Sequence, residues 1–418
     1  IGGMVGGGIF AVLGLSVQLA QGGAPLAFGI AGIVTLLTTY SYAQLSVAFP
    51  SRGGTVTFLN KAFGTGLFTG GMNLLLWLSY IVMLSLYASA FGSYGSTFFP
   101  EVAQTWGKHL LITGVIVGIT GLNLLSADLI GKAETWIVAI KLIILGLFVG
   151  LGLRGVDINQ LQPSTWASPL SLVAGGMIIF LAYEGFELMA NTAEDVKDPA
   201  RTLPIAYYST VIFVILLYVL IAGVTIGSLP LQQVIDAKEY ALAAAAKPFM
   251  GHFGFVLIAI AALLSTASAI NATLYGTTRL SYIIAKSGEL PAALERKIWG
   301  QPIEGLLITS GLTVMVANVF DLSKISTMGS SGFLLIFAVV NFANVKLARQ
   351  THSDRWISFL ATVACLGALT VLLVQTARTQ PQNLWIILVM VLAAFVVEAV
   401  YRQLTQREIH LRHPSSQE

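Results

Sequence analysis

The stretch Ile1-Gly-Gly-Met-Val-Gly-Gly-Gly-Ile-Phe10 opens an apolar segment and holds five glycines among its first eight residues. Each glycine inside a helix costs about 1 kcal/mol relative to alanine. The three consecutive glycines at positions 6–8 therefore favour an unwound backbone. Glycine also lets two helices approach closely in lipid, so close packing is an alternative reason for the run. We predict that the first apolar segment is interrupted at this point.

A second apolar segment carries a comparable interruption, Phe180-Leu-Ala-Tyr-Glu-Gly-Phe-Glu187, in which one glycine lies between two carboxylates. A membrane helix satisfies its own backbone hydrogen bonds, so an interruption is tolerated only where the freed groups face protein, water or a ligand. Amides at a helix N-terminus can hold an anionic group, and freed carbonyls can hold a cation. The two interruptions together suit a small ligand that carries both charges, such as an amino acid.

Composition places these segments in a membrane. Hydrophobic residues make up 56% of the 418 residues, charged residues only 10%, and the mean hydropathy is +0.82. A soluble chain carries about 25% charged residues, and this chain has too few to solvate the surface of a globular enzyme. We therefore predict an all-α polytopic membrane protein.

Apolar runs, separated by glycine, proline and charged residues, predict twelve transmembrane helices. They lie near residues 1–20, 25–49, 67–98, 109–127, 133–153, 169–191, 203–228, 254–285, 304–320, 327–347, 356–376 and 383–402. The interruptions fall in the first and sixth helices, the spacing expected if units of five helices repeat. Paired interruptions in corresponding helices of two halves indicate the midplane site of a transporter.

The distribution of basic residues sets the topology. With a cytoplasmic amino terminus, fifteen lysines and arginines fall in inner loops and the tail, six fall in outer loops, and Lys141 lies within a span. This positive-inside bias predicts a multi-pass protein of the cell (plasma or inner) membrane with both termini cytoplasmic. It also accounts for the net charge of +3 without nucleic-acid binding. Since Ile1 already lies in an apolar run, we expect further residues before it in the natural protein.

One outer connection, residues 230–251, is longer than a turn and has apolar residues at roughly helical spacing. It predicts a short amphipathic helix over the extracellular mouth, which either gates the mouth or is a plain surface helix. Cys365 is the only cysteine, and no His/Cys metal spacing or phosphate-binding loop is visible in the sequence. We expect no cofactor and no metal.

Lys141 lies about nine residues into the fifth predicted helix, roughly 13 Å deep at about 1.5 Å per residue. A lysine near the bilayer midplane costs about 2.5 to 3.5 kcal/mol on insertion scales and marks function by default. The alternative, snorkelling to an interface, demands a longer stem than lysine has. Burial disfavours the charged form of an amine, so Lys141 is a candidate to load and release a proton.

Glu184 and Glu187 lie three residues apart at the second interruption. Mutual repulsion in a low dielectric favours proton uptake by one of them, which makes the pair a second candidate proton carrier or a counter-charge for a cationic ligand. The alternative is that they are solvated in a water-filled vestibule. The eighth helix adds a polar stripe that either bonds its own backbone or forms a cation site: Ser265, Thr266, Ser268, Asn271 and Thr273.

Several motifs, in this order, resemble the amino acid/polyamine/organocation superfamily of permeases. They are Gly6-Gly-Gly-Ile-Phe10, Phe49-Pro-Ser-Arg-Gly-Gly54, Lys61-Ala-Phe-Gly64, Glu194-Asp-Val-Lys-Asp-Pro199 and Ser287-Gly-Glu-Leu-Pro291. The chain is most similar to the archaeal proton-coupled, broad-specificity members of that superfamily. This likeness is carried by Ala133-Glu134, Ile140-Lys-Leu-Ile-Ile-Leu-Gly-Leu-Phe148, Tyr240-Ala-Leu-Ala-Ala-Ala-Ala-Lys-Pro-Phe249, Ala269-Ile-Asn-Ala-Thr273 and Glu295-Arg-Lys297.

The resemblance implies a LeuT-type fold. Residues 1–153 and 169–347 are then two inverted repeats of five helices, residues 356–402 form two peripheral helices, and residues 403–418 form a cytoplasmic tail. It also implies a substrate site built from Met4, Gly6, Gly7, Gly8, Ile9, Leu181, Tyr183 and Glu184. In this site the amides of Gly7 and Gly8 receive the substrate carboxylate, and the carbonyls of Met4, Leu181 and Glu184 receive its amino group.

The same resemblance implies that Lys141 replaces a sodium ion between the first, fifth and eighth helices and carries the coupling proton, with Glu187 as the next candidate. Val5, Ser265 and Ser268 would be the remnant of that cation site, with the Val5 carbonyl and both hydroxyls contacting the lysine. Two positions depart from the pattern. Leu181 stands where many relatives place an aromatic residue over the substrate, and Glu184 stands where the archaeal relatives have an apolar residue.

These observations predict a secondary active transporter that takes up amino acids by proton-coupled alternating access. Its partners are the amino acid, protons and the lipid bilayer. An alternative is an exchanger or uptake permease for cationic amino acids or polyamines, with Glu184 as the counter-charge. A non-transporting membrane sensor is a third reading, but a sensor normally brings a soluble output domain. An enzyme would need a nucleophile with a base or a metal cluster in the spans, and neither is visible in the sequence.

Overall fold

The structure is a computed structural model that describes residues 2–125, 128–286 and 303–405. Every regular element in these ranges is a helix, and one isolated antiparallel bridge joins Gln21 to Trp166. The α-helices are α1 (Gly8–Ala20), α2 (Ala24–Ala48), α3 (Thr55–Phe63), α4 (Leu67–Ser96), α5 (Glu101–Leu125), α6 (Asp128–Gly152), α7 (Pro169–Ile178), α8 (Pro199–Ser228), α9 (Leu231–Asp236), α10 (Ala241–Lys286), α11 (Ile303–Val319), α12 (Leu322–Thr351), α13 (Arg355–Thr379) and α14 (Gln382–Thr405). Short 3₁₀ helices cover Leu153–Gly155, Ile158–Leu161, Pro163–Thr165, Phe180–Tyr183, Glu187–Asp195 and Lys238–Tyr240.

Within the described ranges, nine helices are long and apolar enough to cross a membrane. A tenth span arises if α7 and the 3₁₀ segments after it, which bend by 47°, count as one. α1 and α11 are apolar but only 13 and 17 residues long, shorter than the roughly 20 residues of a full span. The all-helical membrane architecture is therefore confirmed, whereas the count of twelve spans stays a prediction.

Two features differ from the sequence-based expectation. The fourth segment begins at Glu101 rather than near residue 109, because the helix starts directly after Pro100 and its first turns are polar. The eighth segment agrees with the expected start near residue 254: α10 spans Ala241–Lys286, but its backbone is non-helical at Gly251, with φ of +64°, so the turns before this kink belong to the preceding connection. The short helix α3 was not predicted; glycines with positive φ lie at both its ends.

The connection at residues 230–251 does contain a short helix, α9, followed by the 3₁₀ turn at Lys238–Tyr240 and the first turns of α10. The Lys238 carbonyl packs directly on Gly14 of α1, where there is no space for a β-carbon. This connection is thus part of the packed structure beside α1.

Burial separates a core from a periphery. α1 and α4 are buried along nearly their whole length, whereas only 33% of the span in α13 and 22% of the span in α14 is buried. α4 packs against α10, α12 and α14, and α2 packs along α8. The interrupted segments before α1 and after α7 lie inside this core.

Candidate substrate site

The two interrupted segments contact each other through their backbones. Residues 2–7 form turns before α1, and Gly185 adopts a left-handed φ of +108° between two 3₁₀ helices. A β-carbon on Gly185 would lie 3.1 Å from both the Gly3 carbonyl carbon and the Met4 nitrogen, and one on Gly8 would lie 2.7 Å from the Ala182 Cα. The structure therefore interrupts both segments where the sequence predicts and places them side by side.

The glycine run also packs tightly against α4 and α10. A β-carbon on Gly7 would lie 2.5 Å from the Tyr87 ring and 2.9 Å from the Thr266 methyl, and one on Gly6 would lie 2.9 Å from Ala269 Cβ. Unwinding and close packing, the two alternatives considered for this run, thus occur together. Ile9, which follows the run, is fully buried in the core.

Backbone carbonyls freed by the interruptions accept hydrogen bonds from two buried hydroxyls. The Tyr218 hydroxyl of α8 lies 2.7 Å from the Met4 carbonyl and 3.4 Å from the Ala182 carbonyl, bridging the two interruptions. The Ser265 hydroxyl lies 2.7 Å from the Gly6 carbonyl and 3.2 Å from the Val5 carbonyl. The sequence analysis did not predict a role for Tyr218. The one feature of the sequence that could have indicated it is a hydroxyl in an otherwise apolar stretch.

Other backbone groups at the second interruption also have partners. The Leu181 amide donates to the Ser330 hydroxyl of α12 at 3.1 Å, and the Leu181 carbonyl accepts from the Glu184 amide at 3.2 Å. Tyr183 is fully buried and its hydroxyl donates to the Phe28 carbonyl of α2 at 2.9 Å. Tyr183 therefore directs its polar atom toward α2, and Ser330 is a second residue that the sequence did not reveal.

Lys141 is buried, with 1% of its surface exposed, and its Nζ donates to the Gly2 carbonyl at 3.0 Å. We expected Lys141 to contact the Val5 carbonyl and the Ser265 and Ser268 hydroxyls, and this expectation is wrong. The lysine instead reaches the start of the interrupted segment, and the Ser265 hydroxyl donates to the Val5 carbonyl. The reason is packing, since α6 lies beside Gly2, where a β-carbon would meet Val138. Ser268 is buried on the same helix as Ser265.

Glu184 and Glu187 are both buried, with 1% of each surface exposed. Glu187 accepts hydrogen bonds from the Tyr80 hydroxyl at 2.9 Å and the Gly185 amide at 2.8 Å. Neither carboxyl oxygen of Glu184 has a hydrogen-bond partner in the described part of the chain. The alternative that the pair is solvated in an open vestibule is therefore wrong for this conformation.

A cavity of about 300 Å³ borders the interruptions, within the size range of small-molecule sites. Gly3 and Met4 line it from one segment, and Gly185 and Phe186 from the other. Two arginines, Arg52 and Arg279, also line it. Arg52 also lies 3.2 Å from the Asp195 carboxylate, and Arg279 stacks over Tyr275.

A polar cluster lies where α4 and α5 meet the 3₁₀ turn at Lys238–Tyr240. Lys108 Nζ lies 2.6 Å from the Glu239 carboxylate, which also accepts from the Ser93 hydroxyl at 2.8 Å. These contacts anchor the 3₁₀ turn at Lys238–Tyr240 to α4 and α5, and its backbone packs on α1. This turn therefore packs against the helix that follows the first interruption.

A family model described as amino acid permease matches residues 1–396. The chain belongs to the amino acid permease family. The permease is 34% identical over 408 residues to an uncharacterized protein of Methanocaldococcus jannaschii, covering 97% of this chain and 94% of that protein. It is 33% identical over 369 residues to the inner membrane transport protein YbaT of Escherichia coli, covering 88% and 85% of the two chains. It is also 26% identical over 389 residues to the methylthioribose transporter of Bacillus subtilis, covering 86% and 81%.

Family membership confirms the resemblance to this group of permeases, whereas the closer likeness to its archaeal proton-coupled members stays a prediction. The protein is a multi-pass membrane permease of a family that transports amino acids, and not an enzyme. The non-transporting sensor is set aside on the same ground.

Proposed function

We propose that this permease takes up amino acids by proton-coupled alternating access in the plasma or inner membrane, with both termini cytoplasmic. The observation that carries the proposal is the contact between the two interrupted segments, which share Tyr218 and line one cavity of about 300 Å³. Such interruptions, in helices one and six, suit a LeuT-type arrangement of inverted repeats. The close packing of α2 along α8, the second helix of each proposed repeat, supports it.

The substrate is proposed to bind at the interruptions through its charged groups. α1 begins after Gly7 without a side-chain cap, so the Gly7 and Gly8 amides and the positive end of the helix dipole suit a carboxylate. The Met4, Leu181 and Glu184 carbonyls are the acceptors for the amino group. Tyr218 already donates to Met4, so an arriving ammonium would take over this contact.

Lys141 is proposed as the coupling residue because its amine contacts the interrupted segment directly. A hydrogen bond from an ammonium is roughly twice as strong as one from a neutral donor, so the contact with the Gly2 carbonyl changes with protonation. A two-state transporter requires that difference, because a proton that binds both states equally shifts neither. Protonation of Lys141 would thus bias the position of the segment that holds the substrate.

The test is uptake in proteoliposomes with an imposed inward proton gradient, using a panel of radiolabelled amino acids and polyamines. Lys141→Ala should abolish accumulation against the substrate gradient. Lys61→Ala, at an exposed lysine at the end of α3, should accumulate substrate like the wild type. If Lys141→Ala still concentrates substrate, the lysine is excluded as the coupling residue and Glu187 becomes the candidate.

A second candidate, uptake or exchange of cationic amino acids or polyamines, is favoured by the unpartnered carboxyl of Glu184. A cationic side chain of the substrate would supply the missing partner. The same uptake panel separates the candidates, because Glu184→Gln should then reduce uptake of lysine, arginine or putrescine far more than uptake of alanine. Equal losses would exclude Glu184 from recognition of the side chain.

A further inference from the structure

The two buried acids of the second interruption differ in their hydrogen bonding. Glu187 receives two donors, the Tyr80 hydroxyl and the Gly185 amide, which suits an ionised carboxylate. Glu184 receives none from the described residues at either oxygen. Within the described part of the chain, the titratable groups that interact with Glu184 from the elements packed around it are acids or phenols: Glu187, Tyr42, Tyr80 and Tyr87.

An ionised carboxylate only accepts hydrogen bonds, whereas a protonated one also donates. Two neighbouring ionised carboxylates therefore offer each other no hydrogen, and a buried charge without a partner is strongly disfavoured. We propose that Glu184 carries a proton in this conformation and donates a hydrogen bond to the Glu187 carboxylate, so that the second interruption binds one proton in an acid–carboxylate pair. The proton comes from solvent and converts the Glu184 carboxylate to its acid, and no other bond changes.

The position of the pair links this proton to the substrate cavity. Gly185 and Phe186, which lie between the two acids in sequence, line that cavity, whereas the Glu184 oxygens are shielded from solvent. A change in the backbone at Gly185 would therefore open or close the route by which the proton leaves. Any role in the transport cycle rests on the proposed proton-coupled uptake, but the protonated state of Glu184 does not.

Infrared difference spectroscopy on the full chain in lipid tests the protonation directly, because a carboxylic acid has a carbonyl band that a carboxylate lacks. Ligand-free wild-type protein at neutral pH should show such a band, and Glu184→Gln should remove it. Glu101→Gln, at an exposed position at the start of α5, should leave it unchanged. Tyr80→Phe removes a donor from Glu187 and should shift the band, which keeps the proposal testable if Glu184→Gln does not fold.

Two results would overturn the inference. One is a wild-type spectrum without a protonated-carboxyl band, which would make Glu184 a free counter-charge for a cationic substrate. The other is a band that survives Glu184→Gln, or that does not shift in Tyr80→Phe. Lys141→Ala should retain the band and is expected to lose proton-driven uptake, so failure of the proton site and failure of the proposed coupling residue are distinguishable.

Discussion

Gly8→Ala tests whether the close approach of the two interrupted segments builds the substrate site. The added β-carbon would lie 2.7 Å from Ala182 Cα, 2.9 Å from its Cβ and 3.1 Å from its carbonyl oxygen. Two of these three atoms belong to the backbone, so no side-chain rotation can relieve the overlap. The interrupted segments must move apart.

The size of the effect follows from these distances. Carbon atoms in good contact are about 3.5 to 4.0 Å apart, so the segments must separate by about 1 Å. Overpacking of this kind costs about 1–3 kcal/mol, and replacing glycine by alanine in a helix returns at most about 1 kcal/mol. Because the overlap is with backbone atoms, the overpacking cost lies in the upper half of its range, and the net cost of about 1–2 kcal/mol corresponds to a loss of substrate affinity of about five- to thirtyfold.

Equilibrium binding of a radiolabelled substrate from the uptake panel to purified protein measures this loss. Gly146→Ala is the matched control, because Gly146 is exposed on α6 and its β-carbon would meet nothing within 4 Å. It should change affinity by less than about 0.5 kcal/mol. Wild-type affinity in Gly8→Ala, or an equal loss in Gly146→Ala, would refute the reasoning.

Three further substitutions test individual contacts. Tyr218→Phe leaves the buried Met4 carbonyl without its donor and should lower the stability of the ligand-free protein by about 1–3 kcal/mol. Thermal unfolding measures this loss, and an unchanged unfolding midpoint would contradict the bridging role of the Tyr218 hydroxyl. Ser265→Ala removes one hydroxyl shared by two carbonyls and should lower the midpoint likewise, whereas a more stable variant would show that the backbone there needs no donor. Glu239→Gln weakens a half-buried ion pair with Lys108 and should lower the free energy of unfolding by less than about 1 kcal/mol. The difference from wild type should shrink as the salt concentration increases, and a loss of stability that does not depend on salt would indicate packing instead.

Much of the architecture could be predicted because lipid imposes strict rules on sequence. Long apolar runs predicted the helices, and the triple glycine and the glycine between two acids predicted where two of them are interrupted. The limits of the helices were less predictable. The single short helix predicted within residues 230–251 is divided into α9, a 3₁₀ turn and the turns of α10 before the kink at Gly251, and α3 is too short to give a hydropathy signal.

The sequence by itself determined that the protein is an α-helical membrane permease, that segments one and six are interrupted, and that Lys141, Glu184 and Glu187 lie among apolar residues. Those features follow from the cost of unsatisfied or charged groups in lipid, which acts locally along the chain. Only the tertiary structure decided the partners: Lys141 bonds Gly2 instead of the Ser265 region, and Tyr218 bridges both interruptions. Hydrogen bonds form between atoms about 3 Å apart, and which helix faces come that close depends on packing between segments distant in sequence.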